Sequence, residues 1–299
     1  MDWENWLRTA GKPPSDSEEA RTRSTRLQIE RALDNHEPLR GRAYRVYVKG
    51  SHANNTNVRL NYDVDVAVEY HGYFYSEMSF ELEGKDHSLV GVVDSSDQYT
   101  RTQFKNDIWE ALTGEFGESA VTAGKIAYRV REKQTTLPAD VVPCWEYRRY
   151  DGFQNGQPIE HVGSRVYPSS GGWKTNFPRI QQQKGVAKNI ATGRRYKFAV
   201  RALKKLQTQL VVEGKLDSEL SSYFTESLVF NVSDDAFGHS AYLADMREVL
   251  RQIFNETLPS ETASSWTHVH GLMYLFHDGF TRRDAHRMAD VAWKHMGFE

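Results

Sequence analysis

Asp63-Val64-Asp65-Val66-Ala67-Val68-Glu69-Tyr70 alternates acidic and apolar residues and carries two carboxylates two positions apart. Side chains at i and i+2 of a strand project to one face, so Asp63 and Asp65 point together. Val64, Val66 and Val68 then point the other way, into a core. Two carboxylates held that close repel unless a cation neutralises them, and a hard divalent ion with oxygen ligands does this best. Downstream, Ala139 to Tyr147 reads as another strand and supplies Asp140 as a third oxygen donor. Three converging carboxylates suit two ions about 4 Å apart, clamping the attacking and leaving oxygens of a phosphoryl transfer.

Upstream, Tyr44 to Lys49 alternates and is β-rich, and Gly50-Ser51 breaks it. A glycine at a strand end lets backbone approach a ligand with no Cβ in the way. A short helix starting at Ser51 would add free N–H groups and a hydroxyl, a suitable anion site. No Gly-x-x-x-x-Gly-Lys-Ser/Thr loop occurs, which argues against a P-loop kinase or ATPase.

Further out, residues 16–37 and 97–112 have helical spacing and 125–131 reads as a strand. The Gly/Ser/Pro-rich stretch 151–178 is expected to be a long connection. Helical spacing then returns over 195–211, 218–231, 240–256, 264–277 and 281–296. The expected fold is α+β, with a sheet lobe over 1–160 and a basic junction plus helical lobe over 161–299.

The composition, 39% hydrophobic and 26% charged over 299 residues, is that of an ordinary globular protein. No apolar run approaches the roughly 18 residues of a membrane span, and the polar N-terminus has no signal-like stretch. The single cysteine, Cys144, leaves no internal disulfide and no cysteine-rich zinc site, so a cytoplasmic setting is expected. The net charge of −2 hides an asymmetry: between Glu160 and Glu213 there is no acid and there are eleven Lys and Arg. Such a segment offers a positive surface to an anion. His268 and His270 fall in the expected 264–277 helix without cysteine partners, as packing or surface residues.

Gly50-Ser51, a spacer containing Thr56, Asp63-Val64-Asp65-Val66 and Asp140-Val141-Val142-Pro143 together resemble the bacterial cyclic-oligonucleotide synthases of anti-phage CBASS defence. These are polymerase-β-superfamily relatives of cyclic GMP–AMP synthase and oligoadenylate synthase, and the resemblance spans roughly residues 45–235. It implies a helix lysine on the donor triphosphate and a Ser-Tyr pair opening the next helix, for donor phosphate and base. Arg195-Tyr196-Lys197 through Lys205, then Ser221-Ser222-Tyr223, looks like that arrangement, so it assigns nucleotide contacts to Lys197, Ser222 and Tyr223 beside Gly50 and Ser51. Helical spacing also puts Lys197, Arg201, Lys204 and Lys205 on one cationic stripe.

The resulting expectation is a nucleotidyltransferase with Asp63, Asp65 and Asp140 as catalytic, metal-binding residues and two Mg²⁺ (or Mn²⁺) ions. Its substrates are nucleoside triphosphates and its product a cyclic di- or trinucleotide that reaches a downstream effector. No membrane and no stable nucleic-acid partner is expected. The rival expectations are an RNA- or tRNA-elongating enzyme and a catalytically silent antitoxin-like module of the same fold.

Overall fold

In the computed structural model, described for residues 1–58, 63–259, 264–277 and 279–298, the elements follow in chain order. Helices α1 (Trp3–Ala10) and α2 (Asp16–Asn35) precede strand β1 (Tyr44–Val48), helix α3 (Gly50–Asn54) and strand β2 (Val64–Met78). Helix α4 (Arg101–Phe116) leads to β3 (Val121–Ala123), β4 (Tyr128–Val130), β5 (Ala139–Gln154), β6 (Gln157–Val166) and β7 (Lys174–Asn176). The remainder is helical: α5 (Pro178–Ala191), α6 (Arg195–Val212), α7 (Ser222–Asn231), α8 (Tyr242–Glu256) and α9 (Arg282–Met296).

Two compact units divide the chain, one of Asp16–His52 and Tyr62–Arg179, the other of Met1–Ser15, Ala53–Asn61 and Ile180–Glu299. The first is built on a sheet ordered β1-β2-β5-β4-β3, with β6 joining β5 to β7. β2 and β5 run parallel, whereas β1 pairs with β2 and β4 with β5 antiparallel. Val64, Val66, Val68, Val141 and Trp145 bury one face against Ile29 and Leu33 of α2 and Phe104 and Ile108 of α4. Each fully buried valine contributes about 1.5–3 kcal/mol. A one-residue slip of β2 would exchange those valines for Asp65 and Glu69, so burial pins the register. Pinning one face leaves Asp65 and Asp140 on the other.

The second unit has its own core around α6, whose Tyr196, Val200, Leu203, Leu206 and Leu210 are fully buried among residues of α1, α7, α8 and α9. A helix buried nearly all round has no solvated stripe. Arg201 and Lys204 are accordingly buried. The expected cationic face is replaced by two internal cations that donate to backbone carbonyls.

Three other expectations change. The 160/161 boundary moves to 179/180, because β6 and β7 complete the sheet, and α1 joins the C-terminal helices. The expected connection 151–178 holds instead the β5–β6 hairpin, which pairs Gln154 with Gln157. Asn155 and Gly156 between them have φ of 52° and 75°, the backbone that an Asn-Gly hairpin turn adopts. The stretch 264–277 is irregular rather than helical, closed by a bridge between Thr267 and Tyr274 around Gly271 at φ 73°.

Candidate active site

In the sheet unit, Lys49 N–H donates to the Asp65 carbonyl at 2.9 Å, and Val48 pairs with Val66. This pairing lays Gly50 against the Asp65 side chain. A Cβ on Gly50 would lie 2.5 Å from Asp65 Oδ2, and Gly50 sits at φ 65°. The backbone angle favours glycine, and a Cβ would push the Asp65 carboxylate aside. The helix expected at Ser51 is α3, which begins at Gly50. One strand over, Asp140 is the parallel register partner of Asp65. Asp63 immediately precedes β2 and is exposed, while Asp65 and Asp140 are half-buried.

Burial raises the Asp65 pKa, with the charges of Asp140 and Asp63 adding to the rise and Lys49 opposing it. Asp65 with Asp63 and Asp140 forms an all-oxygen donor set, and that fits a hard divalent cation. Among the described residues, two other groups have potential ligand atoms within 4.8 Å of one another, His36–Asp107–Glu110 and Glu69–His71–Glu146. The aspartate trio is set wider than either. Arg129, opposite Asp140 on β4, places Nε 3.3 Å from Asp140 Oδ1 while remaining 67% exposed. Sequence reasoning passed over Arg129 because only the observed β4–β5 register places it there. Cys144 is buried and its thiol is pushed up by that burial, as a core residue.

In the helical unit, Ser222 opens α7 and is exposed; the cap is its neighbour Ser221, whose Oγ accepts from Phe224 N–H at 3.2 Å. Tyr223 is half-buried and stacks on His268 at 5.4 Å and 16°, and His268 stacks on His270 at 5.2 Å and 9°. The two histidines thus back the tyrosine, a role that spacing gave no means of finding. α6 meets the start of α7 at Gln207, which donates to Thr225 Oγ1 at 3.0 Å and accepts from Leu220 N–H at 2.9 Å.

Lys197 lies ten residues before Gln207 on α6, about 15 Å along the axis at 1.5 Å per residue. It lines a separate cavity with Arg194, Arg201 and residues around α1. Its charge is also felt by Glu226 of α7, one turn after Tyr223. Lys204, three residues before Gln207, is 6% exposed and donates to the Thr56 carbonyl at 2.9 Å. Desolvation lowers its pKa to about 8, opposed by the charge of Glu226.

Residues 183–297 match the cGAS/DncV-like nucleotidyltransferase C-terminal helical domain. The cyclic dipyrimidine nucleotide synthase CdnE of Cecembia lonarensis is 30% identical over 99% of this chain and 98% of its own length. This chain belongs to the cGAS/DncV-like nucleotidyltransferases. A Legionella pneumophila family member, also a cyclic dipyrimidine nucleotide synthase CdnE, is 31% identical over the same shares. Among solved structures, the nucleotidyltransferase resembles the Rhodothermus marinus CdnE c-UMP-AMP synthase bound to Apcpp and Upnpp. That likeness has a TM-score of 0.82 and 27% identity over 98% of this chain and 97% of the other. The Elizabethkingia meningoseptica CdnE synthase with GTP and Apcpp gives a TM-score of 0.79 and 28% identity over 98% of both chains. Among the described residues no helix is long and apolar enough to cross a membrane.

Proposed function

We propose that this nucleotidyltransferase joins ribonucleoside triphosphates into a cyclic di- or trinucleotide messenger of anti-phage defence, releasing pyrophosphate. The reading rests above all on Asp65 and Asp140, in register on adjacent parallel strands, with Asp63 two residues before Asp65. Asp63 and Asp65 would hold two Mg²⁺ or Mn²⁺ ions and Asp140 the one beside the acceptor hydroxyl. Such ions, when bound, neutralise phosphate charge and lower the pKa of that hydroxyl.

The chain's own residues bind and orient. Ser51 and the first amides of α3 grip donor phosphates, using the close backbone approach that Gly50 permits. The family resemblance assigns Ser222 to phosphate and Tyr223 to stacking on the donor base. The Tyr223–His268 stack supports this, because a ring backed on one face loses little further freedom when a base packs on it. In each step a ribose hydroxyl loses its proton, forms a bond to the donor α-phosphorus, and pyrophosphate leaves. The last such step, the second for a dinucleotide and the third for a trinucleotide, closes the ring.

Named relatives join pyrimidines or purines, so the bases are tested by offering all four. Incubation with α-labelled ATP, GTP, CTP and UTP and Mg²⁺, resolved by thin-layer chromatography, should give a discrete, phosphatase-resistant spot. A ladder of products would mean an elongating enzyme, and no product a silent module.

A further inference from the structure

We infer that the helical unit carries a second anion site, a cationic cavity that takes the phosphate chain of a small molecule, free or on a nucleotide. The cavity encloses about 780 Å³, within the roughly 300–1,000 Å³ typical of small-ligand sites. Five cations line it, Arg8 and Lys12 from around α1 and Arg194, Lys197 and Arg201 from the start of α6, and no Asp or Glu does.

The charge is largely uncompensated. Arg8 pairs with Glu4 at 2.8 Å. Among the described residues Lys12, Arg194 and Lys197 have no acid within ion-pair distance. Arg201, 6% exposed, is held by carbonyls alone: Nε donates to Gly11 O at 2.8 Å and Nη1 to Asn55 O at 2.5 Å. Desolvation lowers its pKa to about 10, so it stays protonated at neutral pH. The same cause lowers the Lys197 pKa, with buried Glu226 partly offsetting it. Glu226 is itself engaged by Asn54, Thr56 and Gln181. Cations crowded in a partly desolvated cavity repel, and an anion with several charges relieves that repulsion more than a single chloride can.

The walls favour phosphate over a base. Phe198 and Tyr242 stack on each other at 3.9 Å, and Arg195 lies over the Tyr242 ring at 4.0 Å, so these rings are already covered. What is left to bind with is guanidinium, ammonium and the amides of Asn5 and Asn189, which suits linked phosphates. Pyrophosphate, tripolyphosphate and nucleoside triphosphates share this chemistry.

The test is calorimetric titration of the whole chain with tripolyphosphate and with ATP, in EDTA, so that no divalent ion assists binding. Wild type and Asp65→Asn should bind tripolyphosphate alike. The double variant Lys12→Glu/Arg194→Glu, at two exposed positions, should bind it roughly tenfold or more weakly with an unchanged circular dichroism spectrum. Equal affinities for the two ligands would assign the phosphate chain alone; tighter ATP would assign a nucleotide. Absence of metal-free binding, an unaffected double variant, or far tighter binding of a short RNA would each overturn the inference. None of these outcomes touches the cyclisation assay, so the two proposals fail separately.

Discussion

Gly50 lies against the Asp65 carboxylate: a Cβ at position 50 would lie 2.5 Å from Asp65 Oδ2, on a backbone at φ 65°. Left-handed backbone costs a non-glycine residue roughly 1–2 kcal/mol, and the carboxylate must also move aside. A displacement of about 1 Å in a positioning group can cost about a hundredfold in rate. Gly50→Ala should therefore lose about two orders of magnitude in kcat while the protein stays folded. A variant with at least half of wild-type turnover would mean that Asp65 does not need its observed position.

Ser51→Ala separates phosphate grip from turn geometry. Loss of one charge-assisted hydrogen bond, worth about 1.5–3 kcal/mol, should lower kcat/KM for triphosphates by roughly one to two orders of magnitude. If instead Tm collapsed and the folded fraction kept full specific activity, Ser51 would be a turn residue only.

Arg129 shares Asp140 with any ion that arrives there, because its Nε stands 3.3 Å from Oδ1. The pair is exposed on the arginine side, so its worth is small, about 0.2–1 kcal/mol. Arg129→Ala should accordingly tighten Mn²⁺ binding by roughly 1.5- to 5-fold, read by titration calorimetry. Weaker Mn²⁺ binding in the variant would mean that Arg129 organises the site rather than competing for it.

Asp65 gives a pH dependence with a definite sign. Its pKa is raised above the ordinary 3.8 by burial and by Asp140 and Asp63. The folded chain then holds that proton more tightly than the unfolded one. The associated stability is present at low pH and is lost as pH rises from about 3.8 through the folded value. In EDTA at pH 7.5, Asp65→Asn should have a higher Tm than wild type, and the gap should close near pH 4. Saturating Mg²⁺ should reverse the order, since the ion stabilises only the protein that binds it. A variant less stable than wild type in EDTA at pH 7.5 would contradict the raised Asp65 pKa.

Much of this was legible in the residues, for identifiable reasons. The alternation from Asp63 to Tyr70 marks a half-buried strand, and Gly50-Ser51 twelve residues ahead of Asp63-Val64-Asp65 marks the turn beside it. The hairpin at Asn155-Gly156 was legible too, but the Gly, Ser and Pro around it read more loudly as a loop. Burial of Arg201 and Lys204 was not legible, because helical spacing cannot tell a solvated cation from one that donates to carbonyls of distant segments. Spacing likewise places Lys197 on α6 and says nothing of the cavity that it lines with Arg194 and Arg201.

The claim that Asp63, Asp65 and Asp140 make a cyclic nucleotide is tested most directly by mass spectrometry of a phosphatase-treated reaction. Wild type, given all four ribonucleotides and Mg²⁺, should yield a species whose mass equals two or three nucleoside monophosphates less one water per linkage, with no terminal phosphate. Asp65→Asn under the same conditions should yield none. A linear product ending in free hydroxyls, or the same cyclic species from Asp65→Asn, would contradict the account.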